Sequence, residues 1–148
     1  MADLSPLDRL VIEAECTRLV YRYAGLNDAG DYVGVADLFT ADGSFARPTA
    51  PETPLVGRDV IRAAFAARPK GRLSRHIVSN VIVEAESETL ARGSSYILLF
   101  TAAAPESGTA KADPVQLVGG FSDVFVKEDG VWKFKMRQGS VALSSGGS

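Results

Sequence analysis

Val115-Gln116-Leu117-Val118-Gly119-Gly120-Phe121-Ser122-Asp123-Val124-Phe125-Val126-Lys127, then Glu128-Asp129-Gly130, then Val131-Trp132-Lys133-Phe134-Lys135-Met136-Arg137-Gln138-Gly139-Ser140-Val141-Ala142-Leu143, is the stretch whose reading decides the fold. The two flanking pieces are rich in β-branched and aromatic residues. The Asp-Gly pair between them suits a tight hairpin turn, whose central residues take positive φ. Residues 73–84 and 89–103 share this β-type composition, with turn signals at Glu86-Ser87-Glu88 and Pro105-Glu106-Ser107-Gly108. Strands of this length exceed the usual ~5–6 residues. A compact sheet made from them has to curl, and Gly93, Gly119, Gly120 and Gly139 are places where it can bend.

Ahead of the strands the pattern is helical. Ser5 followed by Pro6 makes a helix start, a hydroxyl cap before a proline at the first helical position. Leu7, Leu10, Val11, Ala14, Thr17, Val20, Tyr21, Ala24 and Asp28 recur at three- and four-residue steps, which predicts one amphipathic helix over residues 6–28 with this set on its apolar stripe. Ala29-Gly30 closes it. Asp31 caps a second, short helix carrying Val35, Leu38 and Phe39; residues 43–47 read as a short extended piece; Pro48, Pro51 and Pro54 mark a loop. A third helix is expected over residues 60–67, ended by Pro69 and Gly71. Three N-terminal helices followed by a run of adjacent strands define an α+β class with a strongly curved antiparallel sheet. Such a curled sheet, covered by helices, encloses a pocket. No repeat or second domain is visible, so a single domain over residues 1–143 is expected, with a flexible Ser/Gly tail at 144–148.

The chain has 148 residues, 46% hydrophobic and 23% charged, an ordinary globular balance. A net charge of -2 with no Lys/Arg stripe lacks the electrostatic footprint of nucleic-acid binding. Tyr96-Ile97-Leu98-Leu99-Phe100 is the longest apolar run and is too short to span a bilayer. The opening residues lack the character of a secretory signal, and with one cysteine, Cys16, the composition fits a reducing cytoplasm. Cys16 lies in a helical pattern and reads as a small packing residue. No GxGxxG, P-loop, CxxC or GxSxG occurs, and one His with one Cys cannot build a standard zinc site. Neither cofactor nor metal is expected.

His76 is the single histidine and opens a segment of β-branched residues. Imidazole exchanges a proton near neutrality, and a sheet closing over the first helix would bring Asp28 to its ring nitrogen, making a general base. The alternative is a strand histidine, half-exposed or bonded to a backbone carbonyl. Asp28 likewise has two readings. A carboxylate at a helix C-terminus opposes the helix dipole and needs a reason, but Asn27-Asp28-Ala29-Gly30 is also ordinary turn chemistry. Tyr23 lies five residues before Asp28, about 140° around the helix, so both face one pocket only if it wraps the helix end. Ser94 and Tyr96 alternate on one strand face, as do His76, Val78 and Asn80 on another, and are candidate walls. Lys133, Lys135 and Arg137 at period two read as a solvated sheet face.

Arg22-Tyr23-Ala24, Asp28, Asp31, Leu38-Phe39-Thr40-Ala41-Asp42-Gly43, Arg75-His76, and Gly120-Phe121-Ser122-Asp123 running into Asp129-Gly130-Val131-Trp132-Lys133-Phe134 together resemble the SnoaL-like branch of the NTF2-like, cone-shaped superfamily. The resemblance covers nearly the whole chain. It is nearest the cofactor-free lyases: scytalone dehydratase, hexachlorocyclohexane dehydrochlorinase and bile-acid 7α-dehydratase. In those enzymes an aspartate ending the first helix orients a strand histidine that removes a proton as water or chloride leaves. Asp28 and His76 fall on these positions, and Tyr23 on the tyrosine of the bile-acid dehydratase pattern. The second histidine of scytalone dehydratase has no counterpart, and Asn27 stands where that enzyme has a tyrosine. Steroid Δ-isomerase is also similar over residues 23–48, but its base falls near Arg47, which accepts no proton.

The resemblance implies a cofactor-independent acid–base lyase, a dehydratase or related β-eliminating enzyme, acting on a small apolar cyclic, steroid-like or aromatic-derived molecule. His76 is then the base, Asp28 its partner and Tyr23 a hydrogen-bond donor, with Asn27, Asn80 and Tyr96 as substrate contacts. A homodimer or homotrimer is implied as well. The alternatives are a non-catalytic module of the same fold that binds a hydrophobic ligand or serves in assembly, and a cofactor-free isomerase or cyclase.

Overall fold

A computed structural model of the chain describes residues 3–146. Ser5 and Gly30 bound the first helix as their chemistry requires: the Ser5 hydroxyl accepts the Asp8 N–H at 3.0 Å, and Gly30 takes φ 75°. The elements run α1 (Pro6–Ala29), α2 (Tyr32–Asp37), β1 (Phe39–Arg47), β2 (Ala50–Val56), α3 (Arg58–Ala66), β3 (Arg72–Ser87), β4 (Leu90–Ala103), β5 (Leu117–Glu128) and β6 (Val131–Ser144). Asp31 caps α2 through the Gly34 N–H at 2.9 Å. The four long strands and the Asp129-Gly130 turn stand where composition placed them, with both turn residues at positive φ.

Two expectations are corrected. Only α1 and α2 precede the first strand, because β1 and β2 come before α3. The proline-rich segment is therefore a strand, not a loop. It is tolerated because β2 lies at the edge of the sheet, where Pro51 and Pro54 interrupt no interior ladder. The sheet is also mixed and not purely antiparallel. Its order is β2-β1-β6-β5-β4-β3, and β1 runs parallel to β6. At the end of the chain Ser144 closes β6 and the Ser145 N–H reaches the Gln116 carbonyl at 2.9 Å, while the last two residues of the expected tail, 147–148, lie outside the described residues.

The stripe that α1 buries differs from the one its periodicity suggested. Ile12, Cys16, Leu19, Val20, Tyr23, Ala24 and Asn27 face the sheet, while Leu7, Leu10, Val11 and Tyr21 are exposed. Apolar residues occur on more than one face of α1, so spacing alone does not choose between them. The aromatic core does choose, because the Tyr23 ring meets Phe45, Phe65, Phe121 and Phe134 with centroids 5.8–6.4 Å apart.

Two bulges re-aim the strands. Asn80 sits at φ 53° where the β3–β4 register shifts between Ser79 and Ile82. Ser74, His76 and Val78 are sheltered before this point, and Val81, Val83 and Ala85 after it. On β6 the register shifts between Phe134 and Met136 opposite Phe125 and Val124, so Lys135 is the extra residue. Gly139 lets β6 approach the end of β1. A methyl there would lie 2.5 Å from the Pro48 nitrogen and 2.8 Å from the Ala46 carbonyl oxygen. Gly139→Ala is expected to destabilise the fold by about 1–3 kcal/mol, as overpacking does. Urea denaturation measures this, and an unchanged midpoint would show that β1 shifts freely.

Candidate active site

The last turn of α1 presents Asp28 to the inner face of β3, and three donors converge on its carboxylate. The Ser74 hydroxyl donates to Oδ1 at 2.8 Å, the His76 backbone N–H donates to Oδ2 at 2.9 Å, and His76 Nδ1 lies 2.5 Å from Oδ1. The Asp28 and His76 side chains are 14% and 11% exposed. Burial pushes the Asp28 carboxyl up, but the hydrogen bonds from the His76 ring, the His76 N–H and Ser74 outweigh it and hold the group below its ordinary range. The ionised carboxylate accepts from Nδ1–H, a tautomer assigned from this hydrogen-bond network. Nε2 is left with its lone pair free of any protein partner among the described residues.

His76 lines a cavity of about 320 Å³ together with Tyr23, Asn27 and Tyr32 from the helical side, Phe45, Arg47 and Pro48 from β1 and its end, and Ile97, Leu99, Leu117 and Phe121 from β4 and β5. Arg68, Arg72 and Ser74 line it as well. Asp28 itself does not line the space; it acts from behind the imidazole. The Tyr23 hydroxyl, buried, is pushed up to about 12, mainly by desolvation and against the pull of Arg137 and Arg68, so it is a neutral donor. Asn27 is buried, and its Oδ1 accepts from Arg68 Nη1 at 2.8 Å.

Two expected contacts are not brought to this cavity. The bulge at Asn80 leaves that side chain exposed. Tyr96 is 57% exposed on the opposite face of β4, where its ring covers the bare Gly120 of the next strand. The inward residues of β4 are the neighbours of this set, Ser95 and Ile97.

Arg137 is a correction of the opposite kind. The Lys135 bulge turns it inward, so it is buried and not part of a solvated face. Its guanidinium lies 3.9 Å from the Phe121 centroid, 4.3 Å from Tyr23 and 4.7 Å from Phe134. Its Nε is 3.4 Å from Asp123 Oδ1, with both side chains only 1% exposed. Burial pushes the Asp123 carboxyl up to about 6, with Arg137 pulling the other way. The sequence did carry a signal for this pair. Counting back from the Asp129-Gly130 turn puts Asp123 one residue from facing Arg137, and the bulge supplies that residue. Cys16 is sealed in the core, and burial raises its thiol to about 12.

Residues 8–138 match the SnoaL-like domain family, and the chain belongs to it. Among solved structures, a hexachlorocyclohexane dehydrochlorinase is similar with a TM-score of 0.79 at 17% identity, over 97% of this chain and 94% of that one. A scytalone dehydratase-like protein of Novosphingobium aromaticivorans gives 0.75 at 24%, over 94% and 90%. An NTF2-like protein with a cystatin-like fold from the same organism gives 0.71 at 23%, over 96% and 92%. At these identities the likeness establishes the NTF2-like fold alone. No curated protein matches the chain. Among the described residues no helix is long and apolar enough to cross a membrane.

The half-buried Asp28 and the buried Asp123 predict opposite pH dependences. Asp28, whose folded pKa is depressed, contributes stability that is full above its ordinary 3.8 and is lost as the pH falls through the folded value. Asp123, whose folded pKa is raised, favours the fold below 3.8, and this contribution is lost as the pH rises from 3.8 to about 6. In urea denaturation across the acid range, Asp28→Asn is expected to flatten the acid limb, and Asp123→Asn to remove a decline between 3.8 and about 6. Identical pH profiles for both variants and the parent would contradict these settings.

Proposed function

We propose that the protein is a cofactor-independent acid–base lyase, eliminating water or a comparable leaving group from a small, largely apolar cyclic molecule. The observation that carries this reading is the 2.5 Å contact between Asp28 Oδ1 and His76 Nδ1 at the wall of a cavity lined in large part by apolar side chains. His76 Nε2 removes a proton from a carbon next to an electron-withdrawing group. The electron pair of the broken C–H bond forms the double bond, the C–O bond to the neighbouring carbon breaks, and the departing hydroxide takes the proton back from the imidazolium to leave as water. The enzyme ends in the state in which it began.

Asp28 fixes the tautomer and stabilises the imidazolium, as the acid does in a Ser-His-Asp triad. Tyr23, a neutral phenol at the cavity wall, donates a hydrogen bond to the leaving oxygen or to a developing enolate. Asn27 touches the substrate from beside Arg68. Membership of the SnoaL-like family, together with the chain's likeness to a dehydrochlorinase and a scytalone dehydratase-like protein, supports the reaction class. The exposed Ile77, Tyr96 and Leu143 of the sheet support pairing with further copies of the chain as a homodimer or homotrimer.

Hydroxylated and halogenated cyclic compounds screened for β-elimination test the reading directly. With a substrate in hand, His76→Ala is expected to lower kcat by about 10²–10⁴ while leaving ligand affinity nearly unchanged. Asp28→Asn, which offers the ring an amide in place of a carboxylate, is expected to lower kcat by a similar factor of about 10²–10⁴ without a matching rise in KM. Turnover that survives His76→Ala rejects the assignment of the base.

A further inference from the structure

The cavity wall carries charge that the proton transfer does not use. Arg47, Arg68 and Arg72 line it, and none of its lining residues is acidic. Arg72 is neutralised by Asp113. Arg47 and Arg68 have no carboxylate within ion-pair distance among the described residues. Arg68 is held in place: Nη1 donates to the Asn27 amide oxygen at 2.8 Å, and the guanidinium lies 3.9 Å from the Phe65 centroid. Arg47 is tethered more loosely, with Nη2 at 3.4 Å from the Ala64 carbonyl, and its Nε is buried with no acceptor. Burial chiefly, and the Arg47 charge in addition, lowers Arg68 from its ordinary value, though a guanidinium stays charged at any working pH.

Two uncompensated cations and an orphaned N–H in one recess cost free energy until an anion arrives. We propose that this cavity recognises an organic monoanion: a small ring compound bearing one carboxylate, held between Arg47 and Arg68, with its apolar body along Ile97, Leu99 and Phe121 towards His76. A planar carboxylate matches the guanidinium fork. A volume of about 320 Å³ with mostly apolar walls suits one ring system with one charged substituent, not a nucleotide or a coenzyme thioester. Asp28 does not oppose this anion directly, because its carboxylate stands behind the imidazole and its charge is taken up by three hydrogen bonds. The assignment rests on the lyase reading for the position of the reacting carbon, but not for the anion site itself.

The probes are 1-naphthoate and its neutral counterpart 1-naphthalenemethanol, titrated calorimetrically into the full chain at low ionic strength. The naphthoate is expected to bind about tenfold or more tightly than the alcohol, in keeping with charge-assisted hydrogen bonds. Arg47→Gln and Arg68→Gln should each remove most of this preference and leave the alcohol's affinity within about twofold. Circular dichroism checks that both variants fold, and Arg68→Lys, which keeps the charge, should retain part of the preference. Equal affinity for the two probes, or a preference that survives the Arg47→Gln/Arg68→Gln double variant, overturns the proposal. His76→Ala separates the two claims. A naphthoate preference retained in that variant supports the anion site even if no carboxylate is ever turned over. Elimination from neutral rings alone, with no naphthoate preference, overturns the anion site and leaves the lyase reading standing.

Discussion

The Asp28 carboxylate is the constraint on which the rest depends. It joins the end of α1 to the start of β3 across 46 to 48 residues of chain, through three hydrogen bonds. A negative charge at that helix end works against the helix dipole, and the three donors offset the cost. The same bonds fix where the helix ends relative to the sheet, which nitrogen of His76 carries the proton, and which one is left for a ligand. The end of the helix and the orientation of the imidazole are thus fixed by one side chain.

A comparison within the molecule shows how much the setting matters. Asp28 and Asp123 are both sheltered carboxylates near a basic partner, yet they move in opposite directions. Asp28 has directed donors. Asp123 has a nearly sealed site, an arginine at 3.4 Å with no well-formed hydrogen bond, and two oxygens without partners among the described residues. The depth of burial and the presence of directed hydrogen bonds together set the opposite directions of these two acids.

Much of this was legible in the sequence, and what was not has identifiable causes. Caps and turns are local, so Ser5, Gly30, Asp31 and Asp129-Gly130 placed the element ends directly. Asp28 and His76 were readable because the chain has one histidine, a carboxylate at a helix C-terminus asks for a reason, and the family resemblance puts both on the positions of an acid–base pair. The face of α1 was not, since apolar side chains surround the helix and only the aromatic core distinguishes them. Bulges were the other blind spot. One inserted residue reverses the alternation of a strand, which took Asn80 out of the wall and brought Arg137 into the core. The edge position of β2, which excuses its prolines, depends on a parallel β1–β6 pairing that no local pattern announces.

That Asp28 sits behind the histidine and not in the cavity wall has a wider consequence. The hydrogen bonds that hold the histidine lie between α1 and the first residues of β3, whereas the cavity wall also draws on β1, β4, β5 and the turn after α3. Exchanging a leucine of β4 or β5 on that surface alters which molecule fits without touching the three hydrogen bonds on Asp28. Such an arrangement lets the guest-facing surface be re-tailored while the seating of the histidine stays put.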